Sequence, residues 1–336
     1  MITYVVAPSA NPDGILAHTI ANRFFETEHF FARYNSTLHS LQDVYDQPVG
    51  DVIVADIPLT HESEEYESLF ARIAKKHRSF QWFGHDASSL DHAETFSKYC
   101  DPLIIQPGHS SAKIMGTHFS VDDSYGTFLM NIAQSYEFEQ DNPLTAQGEE
   151  LDALIKVTPL PDLVDDLTHG KVWKDGKLVE KYAAKVEGVG NRIRTSKEKL
   201  GKGYKELSNL HAYNTGQYHD EKANLAEARE LMAEMGVTEK KLVSGLADPV
   251  LYMKAGPQHL KEVTGADVTI TMFKGMKDVV ILGNSPDILR YCVDNGGSGS
   301  GHNGHFLNDV TVTPDNFKEQ VGFYTEYFCE SVLADF

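Results

Sequence analysis

Three side chains able to bind a hard cation stand directly behind apolar runs in this sequence. Asp13 lies in Ser9-Ala-Asn11-Pro-Asp13-Gly14, after Thr3-Tyr-Val-Val-Ala7. Asp56 closes Asp51-Val-Ile-Val-Ala-Asp56, and His85 with Asp86 follows Ser79-Phe-Gln-Trp-Phe-Gly84. A fourth, Asp141, sits in Glu137-Phe-Glu-Gln-Asp141-Asn-Pro. Each has an ordinary structural use as well. Asp-Gly is common turn chemistry, an Asp after a strand caps helices or marks the edge of a core, and a His-Asp pair satisfies a turn. Together, three carboxylates and an imidazole would form a cage suited to Mn²⁺ or Mg²⁺ and unsuited to a thiolate zinc site.

The surrounding elements decide whether they can meet. Thr3–Ala7, Asp51–Ala55, Ser79–Phe83 and Pro102–Gln106 read as strands, and Ile15–Phe25, Ser63–Lys76 and Ser88–Tyr99 as helices between them. Repeated strand–helix units predict a parallel sheet covered on both faces, with ligands beyond the carboxyl ends of its strands. Three of the four polar clusters fall at that edge. Thr158-Pro-Leu-Pro161 marks a break. Beyond it, Glu221–Gly236 reads as a helix, Ala266–Met272 and Lys277–Leu282 as strands, and Pro286–Val293 as a helix. A glycine-rich stretch, Gly296–His305, comes next, before a final strand and a C-terminal helix.

With 336 residues and 41% hydrophobic side chains, the chain is long enough for two domains with buried cores. A net charge of −19 argues against coating long duplex nucleic acid, whose phosphates repel an acidic surface. The charge is uneven: Lys171 to Glu206 carries 11 basic and five acidic residues, a net of +6, and the other 300 residues carry −25. That segment reads either as a solvated linker or as a phosphate-attracting strip. Only three cysteines occur, Cys100, Cys292 and Cys329, and none forms a CxxC. No signal-peptide pattern and no membrane-length apolar run is present, so a cytoplasmic location is expected.

The order of these motifs resembles the DHH phosphoesterase superfamily with its DHH-associated C-terminal domain, which includes nanoRNases and RecJ-like exonucleases. The family's H-x-D-x-D-G matches Ser9 to Gly14, its second-motif Asp matches Asp56, its D-H-H falls on Gly84-His85-Asp86, and its fourth-motif Asp falls on Asp141. Gly296-Gly-Ser-Gly299-Ser-Gly301-His302-Asn303 resembles the G-G-G-G-H loop that helps hold substrate phosphate. The resemblance implies an α/β architecture: a parallel-sheet domain over 1–165, a basic linker over 166–205, a smaller α/β domain over 206–336, and a cleft between them. It implies metal-site residues Asp13, Asp56, His85, Asp141 and Asn11, the last as a neutral oxygen donor, and phosphate contacts from Gly299, Gly301, His302 and Asn303.

The departures are specific. In the family a second metal uses a His and an Asp that are Ser9 and Asn11 here. The final His of D-H-H is Asp86, and the arginine that the family's C-terminal domain offers to phosphate has no obvious match near Gly283-Asn284-Ser285. Asp86 is expected to act as a replacement ligand or a general base, beside His85. The expected function is Mn²⁺- or Mg²⁺-dependent hydrolysis of a small nucleotide or short oligonucleotide phosphodiester, with one tightly held ion. The alternative is a degraded relative that binds a nucleotide or a protein partner without hydrolysis. Neither long duplex nucleic acid nor a membrane is an expected partner, and homodimer formation is left open.

Overall fold

A computed structural model describes residues 2–32, 37–59, 64–139, 142–208, 229–230, 233–234, 240–252, 255–283, 298–300 and 303–322. The chain divides into two units, Met1–Val189 and Gly190–Phe336.

The first unit is built on a five-stranded parallel sheet. Its strands are β1 (Ile2–Pro8), β2 (Glu26–Ala32), β3 (Asp51–Ala55), β4 (Ser79–Gly84) and β5 (Leu103–Ile105), in the order β2-β1-β3-β4-β5. The near-continuous apolar runs of β1, β3 and β4 follow from burial on both faces. Strand alternation sorts them: Val5, Ala7, Ile53, Ala55 and Phe83 face one core, while Tyr4, Val6, Val52, Val54, Phe80 and Trp82 face the other. The first core is covered by α1 (Pro12–Asn22), α5 (Ser111–His118), α6 (Ser124–Phe138), α7 (Thr145–Ile155) and α8 (Leu160–Thr168). The second is covered by α2 (Thr37–Asp46), α3 (Glu64–Lys76) and α4 (Leu90–Ser97).

The segment 166–205 contains the end of α8, the hairpin β6 (Trp173–Lys174) and β7 (Lys177–Leu178), and α9 (Glu180–Leu200). The boundary between the two units falls inside α9. Part of its basic charge is met locally, since Lys171 and Lys181 both pair with Asp166.

The second unit carries a six-stranded mixed sheet. Its strands are β8 (Tyr204–Ser208), β9 (Lys241–Ala247), β10 (Val268–Phe273), β11 (Asp278–Leu282), β12 (Ser298–Ser300) and β13 (Asn303–Leu307), ordered β12-β13-β11-β10-β9-β8. Helix α10 (Ala255–Thr264) crosses between the parallel pair β9 and β10. Leu242, Ile270, Met272, Val279, Ile281 and Phe306 form its core. The helix expected over Glu221–Gly236 falls mostly, and that over Pro286–Val293 wholly, outside the described residues. No helix among the described residues is long and apolar enough to cross a membrane.

Candidate metal centre

Asp13 enters through the start of α1. Asn11 is the N-cap, its side-chain oxygen accepting from Gly14 N at 2.7 Å, and Pro12 occupies the first turn, where a missing N–H costs nothing. Gly14 is required by crowding, because a Cβ there would lie 2.4 Å from the carbonyl oxygen of Pro8. The fully buried Asp13 carboxylate then accepts the first two backbone N–H groups of α5, Ser111 N at 2.7 Å and Ala112 N at 2.9 Å. Those amides lack intrahelical partners, and the helix dipole favours an anion there.

Asp56 follows β3 in the left-handed region, with φ of 58°. Its backbone N–H bonds to Phe83 O at 3.0 Å, so the chain turns at the sheet edge while still tied to β4. Such a conformation is uncommon outside glycine and recurs where a side chain must be aimed. The two oxygens of Asp56 face different partners. Oδ2 accepts from the Asn11 amide nitrogen at 2.8 Å, while Oδ1 accepts from Ser111 Oγ at 3.4 Å and lies 3.4 Å from His85 Nδ1.

His85 leaves β4 with Nδ1 3.1 Å from Ser111 Oγ and 3.6 Å from Asp13 Oδ2. Phe138, at the end of α6, packs edge-on against its ring with centroids 5.4 Å apart. One donor atom each from Asp13, Asp56 and His85 lies within 4.8 Å of the others. Asp86 caps a 3-10 turn by position only, making no side-chain capping bond.

Electrostatics match the geometry. Burial and the neighbouring Asp13 charge, with Glu137 adding, push the Asp56 carboxyl well above the usual carboxylate range, although the Asn11 bond opposes them. Burial pushes the His85 imidazole down, but its bond to Asp13 and the charges of Asp13, Asp86 and Glu137 together raise it. Neither Asp13 nor Asp56 pairs with a lysine or arginine among the described residues. Two buried carboxylates thus share one imidazole, a donor set of oxygen and nitrogen that fits a divalent cation.

The structure therefore brings Asp13, Asp56 and His85 together, with Asn11 and Asp86 adjoining. Ser9, half-buried after β1, uses its backbone N–H on Ala32 O at 2.9 Å. Asp141, Gly301 and His302 lie outside the described residues. Gly299 and Asn303 are strand residues: Gly299 pairs with Gly304 and Asn303 with Ser300 in the β12–β13 hairpin. Over its described part the glycine-rich stretch is thus a β-ladder, its two arms pairing their backbones as antiparallel strands.

Ser111 escaped the sequence reading: it touches all three cage residues, through its hydroxyl or its N–H. Glu137, four residues before Asp141 in the segment already singled out, acts on Asp56 and His85 from the last turn of α6. The available signal for Ser111 was the polar Gln106-Pro-Gly-His-Ser-Ser111 directly after β5, a fourth cluster at the same sheet edge.

No protein-family model matches the chain, and no curated protein matches it. Solved structures do. A pGpG-specific phosphodiesterase from Vibrio cholerae aligns over 98% of this chain and 99% of its own, with 13% identity and a TM-score of 0.50. RecJ in complex with Mn²⁺ from Thermus thermophilus aligns over 100% of this chain and 52% of its own, with 11% identity and a TM-score of 0.54. An exonuclease RecJ bound to manganese aligns over 100% of this chain and 90% of its own, with 10% identity and a TM-score of 0.55. These neighbours are DHH-type enzymes, and the likeness establishes that this chain has a DHH-like fold.

Proposed function

We propose that this protein is a divalent-metal-dependent phosphoesterase that hydrolyses a small nucleotide or short oligonucleotide phosphodiester. The observation that carries this reading is the meeting of Asp13, Asp56 and His85 at the carboxyl edge of a parallel sheet, with no lysine or arginine among the described residues to neutralise the two buried carboxylates. The names of the fold neighbours, a pGpG phosphodiesterase and manganese-bound RecJ, support it.

Each residue has a task. Asp13, Asp56 and His85 hold the ion, which when bound supplies positive charge toward a phosphoryl oxygen and acidifies water. Ser111 keeps the His85 ring turned toward the two carboxylates. Asp86, its carboxylate not spent on a cap, takes the proton from the attacking water as general base. Asp141 adds a further carboxylate to the ion, and Gly299, Gly301, His302 and Asn303 contact substrate phosphate.

The test is turnover with Mn²⁺ across dinucleotides, short oligonucleotides and cyclic dinucleotides. Chelator-sensitive release of nucleoside monophosphate supports the proposal. Tight nucleotide binding without turnover of any substrate would contradict it and favour the binding-only alternative, for which the neutral side chains of Ser9 and Asn11 are the motivating observation.

A further inference from the structure

Asp56 presents one oxygen to each of two surroundings, and only one of them is built for a cation. On the Oδ1 side stand Asp13 Oδ2 and His85 Nδ1, a carboxylate oxygen and a ring nitrogen. On the Oδ2 side stands the Asn11 amide, 2.8 Å away. Which end of that amide faces Asp56 is fixed chemically. Its oxygen accepts from the backbone N–H of Gly14 at 2.7 Å, and a backbone N–H cannot accept, so the NH₂ group must face Asp56. A hydrogen-bond donor therefore points at the lone pairs that a second cation would need.

We infer that Asn11 acts as a built-in substitute for a second cation, donating an N–H to Asp56 Oδ2 and so limiting this centre to one divalent ion. The inference rests on the metal-binding reading given above. An amide N–H supplies a partial positive charge to a buried carboxylate without the repulsion between two divalent ions a few Å apart. It also makes the ion count a property of the sequence at position 11. The amide oxygen is spent on capping α1, and the nearby hydroxyl of Ser9 is neutral. Neither Asn11 nor Ser9 supplies a negative charge to offset a second double charge.

The substitution Asn11→Asp isolates the effect. Asp is as good an N-cap as Asn, so the Gly14 bond and the start of α1 are retained, while the N–H is removed and a negative charge added. The experiment is calorimetric titration of the metal-free full chain with Mn²⁺, with the stoichiometry checked by native mass spectrometry. The wild type should bind one ion and Asn11→Asp two. Metal-free Asn11→Asp should also melt below the wild type and gain more in Tm on Mn²⁺ addition, because its added carboxylate faces Asp56 unneutralised. Where Asn11→Asp alone gains no second ion, the double variant Ser9→His/Asn11→Asp, which also supplies a nitrogen donor, should bind two. Two ions in the wild type would overturn the inference while leaving the metal site standing, and so would one ion in both variants. No ion in the wild type would overturn the metal reading itself.

Discussion

Asp13 Oδ2 lies 2.7 Å from the backbone nitrogen of Ser111, although 98 residues separate the two. One carboxylate thereby fastens the start of α5 to the start of α1 and offers an edge to the cation cluster. Asp13→Asn keeps the size but turns an NH₂ against one of two backbone N–H groups. It should cost about 1–3 kcal/mol in urea unfolding of the metal-free protein, the range for a buried donor left without its acceptor. Mn²⁺ affinity should fall as well. Loss of affinity without loss of stability would show that the helix bond carries no weight.

Ser111→Ala removes the hydroxyl beside His85 Nδ1 while keeping the backbone N–H on Asp13. Outer partners that orient a ligand are typically worth ~10–100-fold in metal affinity or activity. A drop of that size is expected in Mn²⁺ titration, with stability changed by no more than about 1 kcal/mol. Unchanged affinity would reduce Ser111 to a helix residue.

Both Asp56 and His85 hold their protons more tightly in the fold than in the unfolded chain. A raised folded pKa contributes stability that is fully present below the unfolded value and lost as pH rises through the folded one. Metal-free protein should accordingly lose stability from mildly acidic toward neutral and alkaline pH. Added Mn²⁺ competes with those protons, so the gain in Tm on Mn²⁺ addition should grow over the same interval. Thermal melts from about pH 5 to 8, with and without Mn²⁺, measure both trends. A gain that shrinks with rising pH would contradict the assignment.

Glu137 raises the proton affinity of both groups from the end of α6. In Glu137→Gln, the His85 ring should titrate at lower pH than in the metal-free wild type. An NMR titration of the ring protons reads this directly, and an unmoved midpoint would place the Glu137 charge outside the centre.

How much of this was legible in the sequence depends on what a local pattern can carry. Asp51-Val-Ile-Val-Ala55 is an uninterrupted apolar run because β3 is central, and its bounds could be read off directly. Strand β2 could not: Glu26, Glu28 and His29 interrupt it, because it lies at the sheet edge and is less buried than the central strands. The cage residues Asp13, Asp56 and His85 stood out because each follows a strand. Ser111 and Glu137 reach them only through long-range packing, which periodicity does not encode. The part played by Asn11 depends on which way an amide faces, and that is decided by the backbone N–H of Gly14.

Anomalous scattering at the manganese edge, from crystals of the full chain grown with Mn²⁺, tests the centre most directly. A peak bounded by Asp13, Asp56 and His85, with no comparable peak beside Asn11, is the expected result. A protein saturated with Mn²⁺ whose peak lies away from these three residues would contradict it.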